Sequence, residues 1–104
     1  MKKIENKEKI STISFVRNVQ PFCPLGDDYY TAEVEVFLVP DQCYMDYCEL
    51  DEAIQDLGGK HLTIEQLAEK VYNIIQEFEP LHTVVTVNAN SNKHFPVVVI
   101  KESE

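Results

Sequence analysis

The stretch YTAEVEVFLV, Tyr30 to Val39, alternates with a period of two. Tyr30, Ala32, Val34, Val36 and Leu38 fall on one face. Thr31, Glu33 and Glu35 fall on the other, which Phe37 and Val39 make apolar at its far end. Successive side chains of a strand point to opposite sides, so this is a strand with one buried face. Pro40-Asp41 ends it. The flanking sequence must then contain whatever covers that face.

Upstream, ISTISFVRNV (Ile10 to Val19) is rich in β-branched and aromatic residues and reads as another strand. Between the two lies PFCPLGDDYY, where Pro21 and Pro24 stop the first strand and Gly26-Asp27-Asp28 makes the turn. Cys23 has two readings there: a nucleophile held near an acid, or a half-buried thiol ending a strand. Downstream the period lengthens. In MDYCELDEAIQDLGG (Met45 to Gly59), Asp46 followed by Glu49 fits a capping box. Leu50, Ala53, Ile54 and Leu57 make one helical face, and Gly58-Gly59 supplies a left-handed cap. LTIEQLAEKVYNIIQEF (Leu62 to Phe78) carries Thr63 and Gln66 as a second capping box. Its stripe is Ile64, Leu67, Val71, Ile74, Ile75 and Phe78, and Pro80 ends it. HTVVTVNA (His82 to Ala89) and HFPVVVIKE (His94 to Glu102) are strands joined by the polar run Asn88 to Lys93, a hairpin. Only the two termini look frayed.

The element order is ββααββ, with strands and helices segregated. That is an α+β domain spanning 1–104: a four-stranded antiparallel sheet with both helices on one face. The other face also carries Val, Ile and Phe, more than water favours, which implies that it packs against further copies of the chain.

Composition narrows the partners. Eighteen acidic against nine basic residues in a chain of 104 give a formal charge of −9, a field that repels nucleic-acid phosphates and anionic lipid. No apolar run approaches the ~18 residues of a membrane span, and the charged start MKKIENKEKI is unlike a signal peptide. The three cysteines, an odd number, suit the reducing cytosol. Cys43 and Cys48 have no second pair or histidine couple nearby, and His61, His82 and His94 are scattered, so no metal site is expected.

The element order and lengths resemble the tunnelling fold, whose members include GTP cyclohydrolase I, the 6-pyruvoyl- and 6-carboxytetrahydropterin synthases, and the nitrile reductase of queuosine biosynthesis. The resemblance implies sheets associated into barrels, with a purine or pterin held at a subunit interface through a glutamate. YTAEVEV, MDYCEL and LTIEQLA are similar to stretches of the pterin synthases. Their His-x-His zinc pair, however, falls on Gly26 and Asp28, and their anchoring glutamate on Asn88.

The spacing is closer to that of the nitrile reductase, which converts 7-cyano-7-deazaguanine to its aminomethyl form. Its Cys-Pro corresponds to Cys23-Pro24, its Pro-Asp to Pro40-Asp41, its mid-chain glutamate to Asp46, and its histidine-glutamate pair to Ile64-Glu65. The family's catalytic aspartate falls on Tyr30, with Asp27 and Asp28 close by. The two lysines that hold NADPH fall on Cys48 and Asp51. Losing a charge-assisted phosphate contact costs roughly 1.5–3 kcal/mol, so no cofactor is expected unless the full reductase is retained, in which case it is NADPH.

The resemblance thus makes Cys23, Asp27 and Asp28 the catalytic candidates, and Glu65 and Asp46 the candidates for binding a purine- or pterin-like base. Each has a plainer reading. Glu65 in a first helical turn favours the macrodipole, and Asp46 is a natural N-cap. Tyr29, Tyr30, Tyr44 and Tyr47 can stack a heterocycle, though filling of core or interface is the simpler reading. His61 and His94 read as surface-loop residues. The implied activity is a nitrile-reductase-like oxidoreductase with part of its set missing. The alternatives are a non-catalytic oligomeric protein of the same fold and a zinc-less relative of the pterin synthases.

Overall fold

The computed structural model describes residues 1–104. The elements in order are β1 (Lys3–Glu5), β2 (Ile13–Val19), β3 (Phe22–Cys23), β4 (Asp28–Tyr29), β5 (Thr31–Val39), β6 (Cys43–Met45), α1 (Tyr47–Gln55), α2 (Ile64–Gln76), β7 (His82–Asn90) and β8 (Val97–Glu102). The main sheet runs β2-β5-β7-β8, antiparallel throughout. Two small ladders flank it, β1 with β6 and β3 with β4.

Register explains the burial. Val34 of β5 pairs with Arg17 of β2 and Val87 of β7, and Val87 pairs with Val99 of β8. Along β5 every second residue, Ala32 to Leu38, is buried, and β7 does the same from Thr83 to Ala89. That face meets Leu50 and Ile54 of α1 and Ile64, Leu67, Ala68, Val71 and Ile75 of α2. Tyr30 belongs to the same core. Lys101 of β8 places its ammonium 5.1 Å over the Tyr72 ring of α2, so the sheet edge is held under the helix as well.

The helix-free face is mixed. One cross-strand row runs Val16, Glu35, Thr86, Ile100, and another runs Ser14, Phe37, Val84, Glu102. Val16, Phe37, Val98 and Ile100 stand exposed on it. No helix of the chain is long and apolar enough to cross a membrane.

Several local expectations are corrected. The amino terminus is tied down rather than frayed: β1 pairs with β6, and the Lys2 amide donates to Glu49 at 2.9 Å. Glu49 is thereby turned from Asp46, so α1 has half a capping box, with Asp46 accepting from the Cys48 and Glu49 amides. On α2 both halves form between Thr63 and Gln66. β2 begins at Ile13, not Ile10, because Asn6 clasps the Ile10 backbone through its amide and its carbonyl oxygen. β8 begins at Val97, just past Pro96, which has no N–H for the ladder. α1 is capped at Asp56; Gly59 does adopt φ +77°, but in the following turn, where its amide donates to Gln20.

Candidate functional site

The segment PFCPLGDDYY folds as a tight hairpin. Cys23 pairs with Asp28, and Phe22 with Tyr29. The turn closes through the Asp27 amide, which donates to the Cys23 carbonyl at 2.8 Å while Asp27 takes a left-handed φ of 53°. Such a backbone is tolerated by Asp better than by most residues. The Gly26 amide points at the Cys23 sulfur, 3.4 Å away, so one donor is already aimed where thiolate charge would form.

Three hydrogen bonds fasten this hairpin to the start of α2. The Phe22 amide donates to Lys60, the Leu62 amide donates to Phe22, and the Tyr30 hydroxyl donates to the Leu62 carbonyl at 2.8 Å. Thr63 then caps α2, which carries Glu65 in its first turn. Cys23 and Glu65, distant in sequence, therefore face one cleft of about 440 Å³. Asp28, Tyr30 and Ile64 also line it, and the β7–β8 loop closes it with Ser91, Lys93, His94 and Phe95.

Burial, then the nearby Cys23 and Glu65, push the Tyr30 phenol above its ordinary pKa. Tyr30 is thus a neutral donor, already committed to Leu62. Its one hydrogen is spent on the Leu62 carbonyl, at the position where the resemblance puts the nitrile reductase's aspartate. Ile64, where the resemblance puts the nitrile reductase's histidine, is buried and apolar.

Of the sequence candidates, Cys23, Asp28 and Glu65 come together. Asp27 sits at the outer corner of the turn, exposed and outside the cleft lining. Asp46 is absorbed by the N-cap of α1 and takes no part in this cleft. The tyrosines do not form a cluster: Tyr29 meets the Phe22 ring edge-on at 5.2 Å, Tyr44 donates to Glu8, and Tyr47 stands by a different cleft. His61 lies against Phe22, its ring centroid 4.8 Å away. Lys93, His94 and Phe95 were invisible as site residues, since a polar hairpin loop reads the same whether or not it overhangs a pocket.

A larger cleft, about 620 Å³, lies between β2 and α1. It is lined by Phe15, Val16, Tyr47 and Leu50 together with Arg17, Cys48 and Asp51. Its one cation, Arg17, is engaged by Asp51 at 3.0 Å.

No protein-family model matches the chain, and no curated protein matches it. Among solved structures it is similar to the crystal structure of the archaeosine synthase QueF-Like in its apo form, with a TM-score of 0.83 and 21 % identity, over 90 % of this chain and 94 % of that one. This is the tunnelling fold. The four-stranded antiparallel sheet and the two helices are the parts of this chain that match that unit.

Proposed function

We propose that this tunnelling-fold chain binds a 7-deazaguanine- or pterin-like base in the Cys23 cleft, at a boundary between copies of itself. Glu65 accepts from the ring edge, an N–H and an exocyclic amine matching its two oxygens. Cys23 adds to an exocyclic nitrile of the base. Its sulfur bonds to the nitrile carbon, and the nitrogen takes up a proton, giving a thioimide. The cytosol, which keeps such a thiol reduced, is the compartment that suits it.

One observation carries this reading: Cys23 and Glu65 line a single cleft in a fold shared with an archaeosine synthase. Reduction of the thioimide by NADPH does not fit. The positions of the family's cofactor lysines hold Cys48 and Asp51, in a mainly apolar cleft whose arginine is already paired. The chemistry supported here stops at thiol addition, or continues with a nucleophile other than hydride that bonds to the thioimide carbon as the C–S bond breaks and Cys23 leaves as the thiol.

Intact-mass analysis after incubation with 7-cyano-7-deazaguanine tests the reading. A stoichiometric adduct that maps to Cys23 and is absent from Cys23→Ala is expected. An unmodified Cys23 under saturating ligand overturns it, and leaves a non-catalytic binding protein.

A further inference from the structure

Thiol addition needs a group that removes the sulfhydryl proton and delivers one to the substrate. The cleft offers Asp28, Tyr30, Glu65, Lys93 and His94. Tyr30 is locked as a donor to Leu62 and held neutral. Glu65 has the ring edge to receive. The Asp28 carboxylate accepts from the Tyr29 amide at 2.8 Å, and the Lys93 ammonium only donates.

His94 has the right chemistry, because imidazole both accepts and donates protons near neutrality. Its Nδ1 lies 2.6 Å from the Phe95 carbonyl oxygen. A carbonyl can only accept, so Nδ1 carries the hydrogen, and Nε2 is the basic nitrogen of the neutral ring. Nε2 makes no hydrogen bond within the chain. The Lys93 amide, donating to Ser91 Oγ at 3.0 Å, turns the loop that puts His94 among the residues lining the cleft with Cys23.

We propose that His94 is the proton carrier for Cys23. Nε2 takes the thiol proton as the S–C bond forms and the nitrile's triple bond becomes C=N. The same proton then passes to that nitrogen. No electrons are gained or lost overall. The nitrile part rests on the reading above; the Cys23–His94 pairing does not, and the experiment separates them.

Iodoacetamide at neutral pH alkylates thiolates whatever the natural substrate, and peptide mapping reads Cys23 separately from the exposed Cys48. In wild type against His94→Gln, alkylation of Cys23 should slow by at least about tenfold, in line with general-base contributions, while Cys48 is unchanged. Added imidazole should restore the rate in His94→Ala. Equal Cys23 rates in wild type and His94→Gln, or no rescue by imidazole, overturn the proposal. Slowed alkylation without any nitrile adduct in wild type keeps the pair and discards the nitrile.

Discussion

The Tyr30 hydroxyl donates a 2.8 Å hydrogen bond to the backbone carbonyl of Leu62, linking the strand that follows the Cys23 hairpin to the residue before the cap of α2. This contact sets how the two walls of the cleft stand to one another. Tyr30→Phe removes the donor but keeps the ring, leaving a buried carbonyl short of a partner. A loss of about 1–2 kcal/mol in urea unfolding is expected; no loss would mean that water reaches Leu62 freely.

The same tyrosine predicts a pH effect. Its phenol is raised above the ordinary value of about 10, mainly by burial, so the unfolded chain releases this proton at lower pH than the folded one. The contribution is fully present below pH ~10 and lost as pH climbs from there toward the folded value, by up to about 1.4 kcal/mol per pH unit. Between pH 10 and 11 the wild-type stability curve should fall more steeply than that of Tyr30→Phe. Parallel curves would show that the folded phenol ionises normally.

Assembly follows from the helix-free face. Val16, Phe37, Val98 and Ile100 are exposed on it, and both edge strands, β2 and β8, have unpaired outer ladders. A homo-oligomer at micromolar concentration is expected in sedimentation. Ile100→Glu, 59 % exposed in the single chain, should shift it toward monomer while leaving far-UV dichroism intact. A stable 12.0 kDa wild-type monomer would refute the assignment of this face.

What could be read from the sequence depended on periodicity. The alternation from Tyr30 to Leu38 and the α2 stripe have long runs and caps, so sheet, helices and their packing were legible. β1 and the β3–β4 hairpin were not: two or three residues carry no period, and β1 is mostly charged. Cys23 and Glu65 could be named because the resemblance marks them. His94 could not, because its role depends on where a loop lands.

The cofactor reading gives a further outcome. With Asp51 on Arg17 and no lysine lining the β2–α1 cleft, NADPH should show no saturable binding at submillimolar concentration by fluorescence titration. Micromolar binding would restore the reductase. Asp51→Lys, which frees Arg17 and adds a cation, is the variant in which weak binding should first become detectable.

The base site rests most directly on Glu65. It is exposed in the first turn of α2, makes no hydrogen bond within the chain, and has no structural duty beyond the helix dipole. Glu65→Gln should therefore cost only a few tenths of a kcal/mol of stability, the low end of the range of about 0.3–1 kcal/mol for such charges. Ligand binding is a different matter. One of two acceptor oxygens becomes an N–H₂ facing the ring's own N–H, and a charged hydrogen bond worth roughly 1.5–3 kcal/mol is lost, so affinity for a guanine-like base should fall by about ten- to a hundredfold. Glu65→Asp keeps the charge but withdraws it by one methylene, and should bind between the two. Calorimetry on the three proteins decides it: if all bind every tested purine and pterin alike, Glu65 is a helix-end carboxylate and the ring edge is read elsewhere.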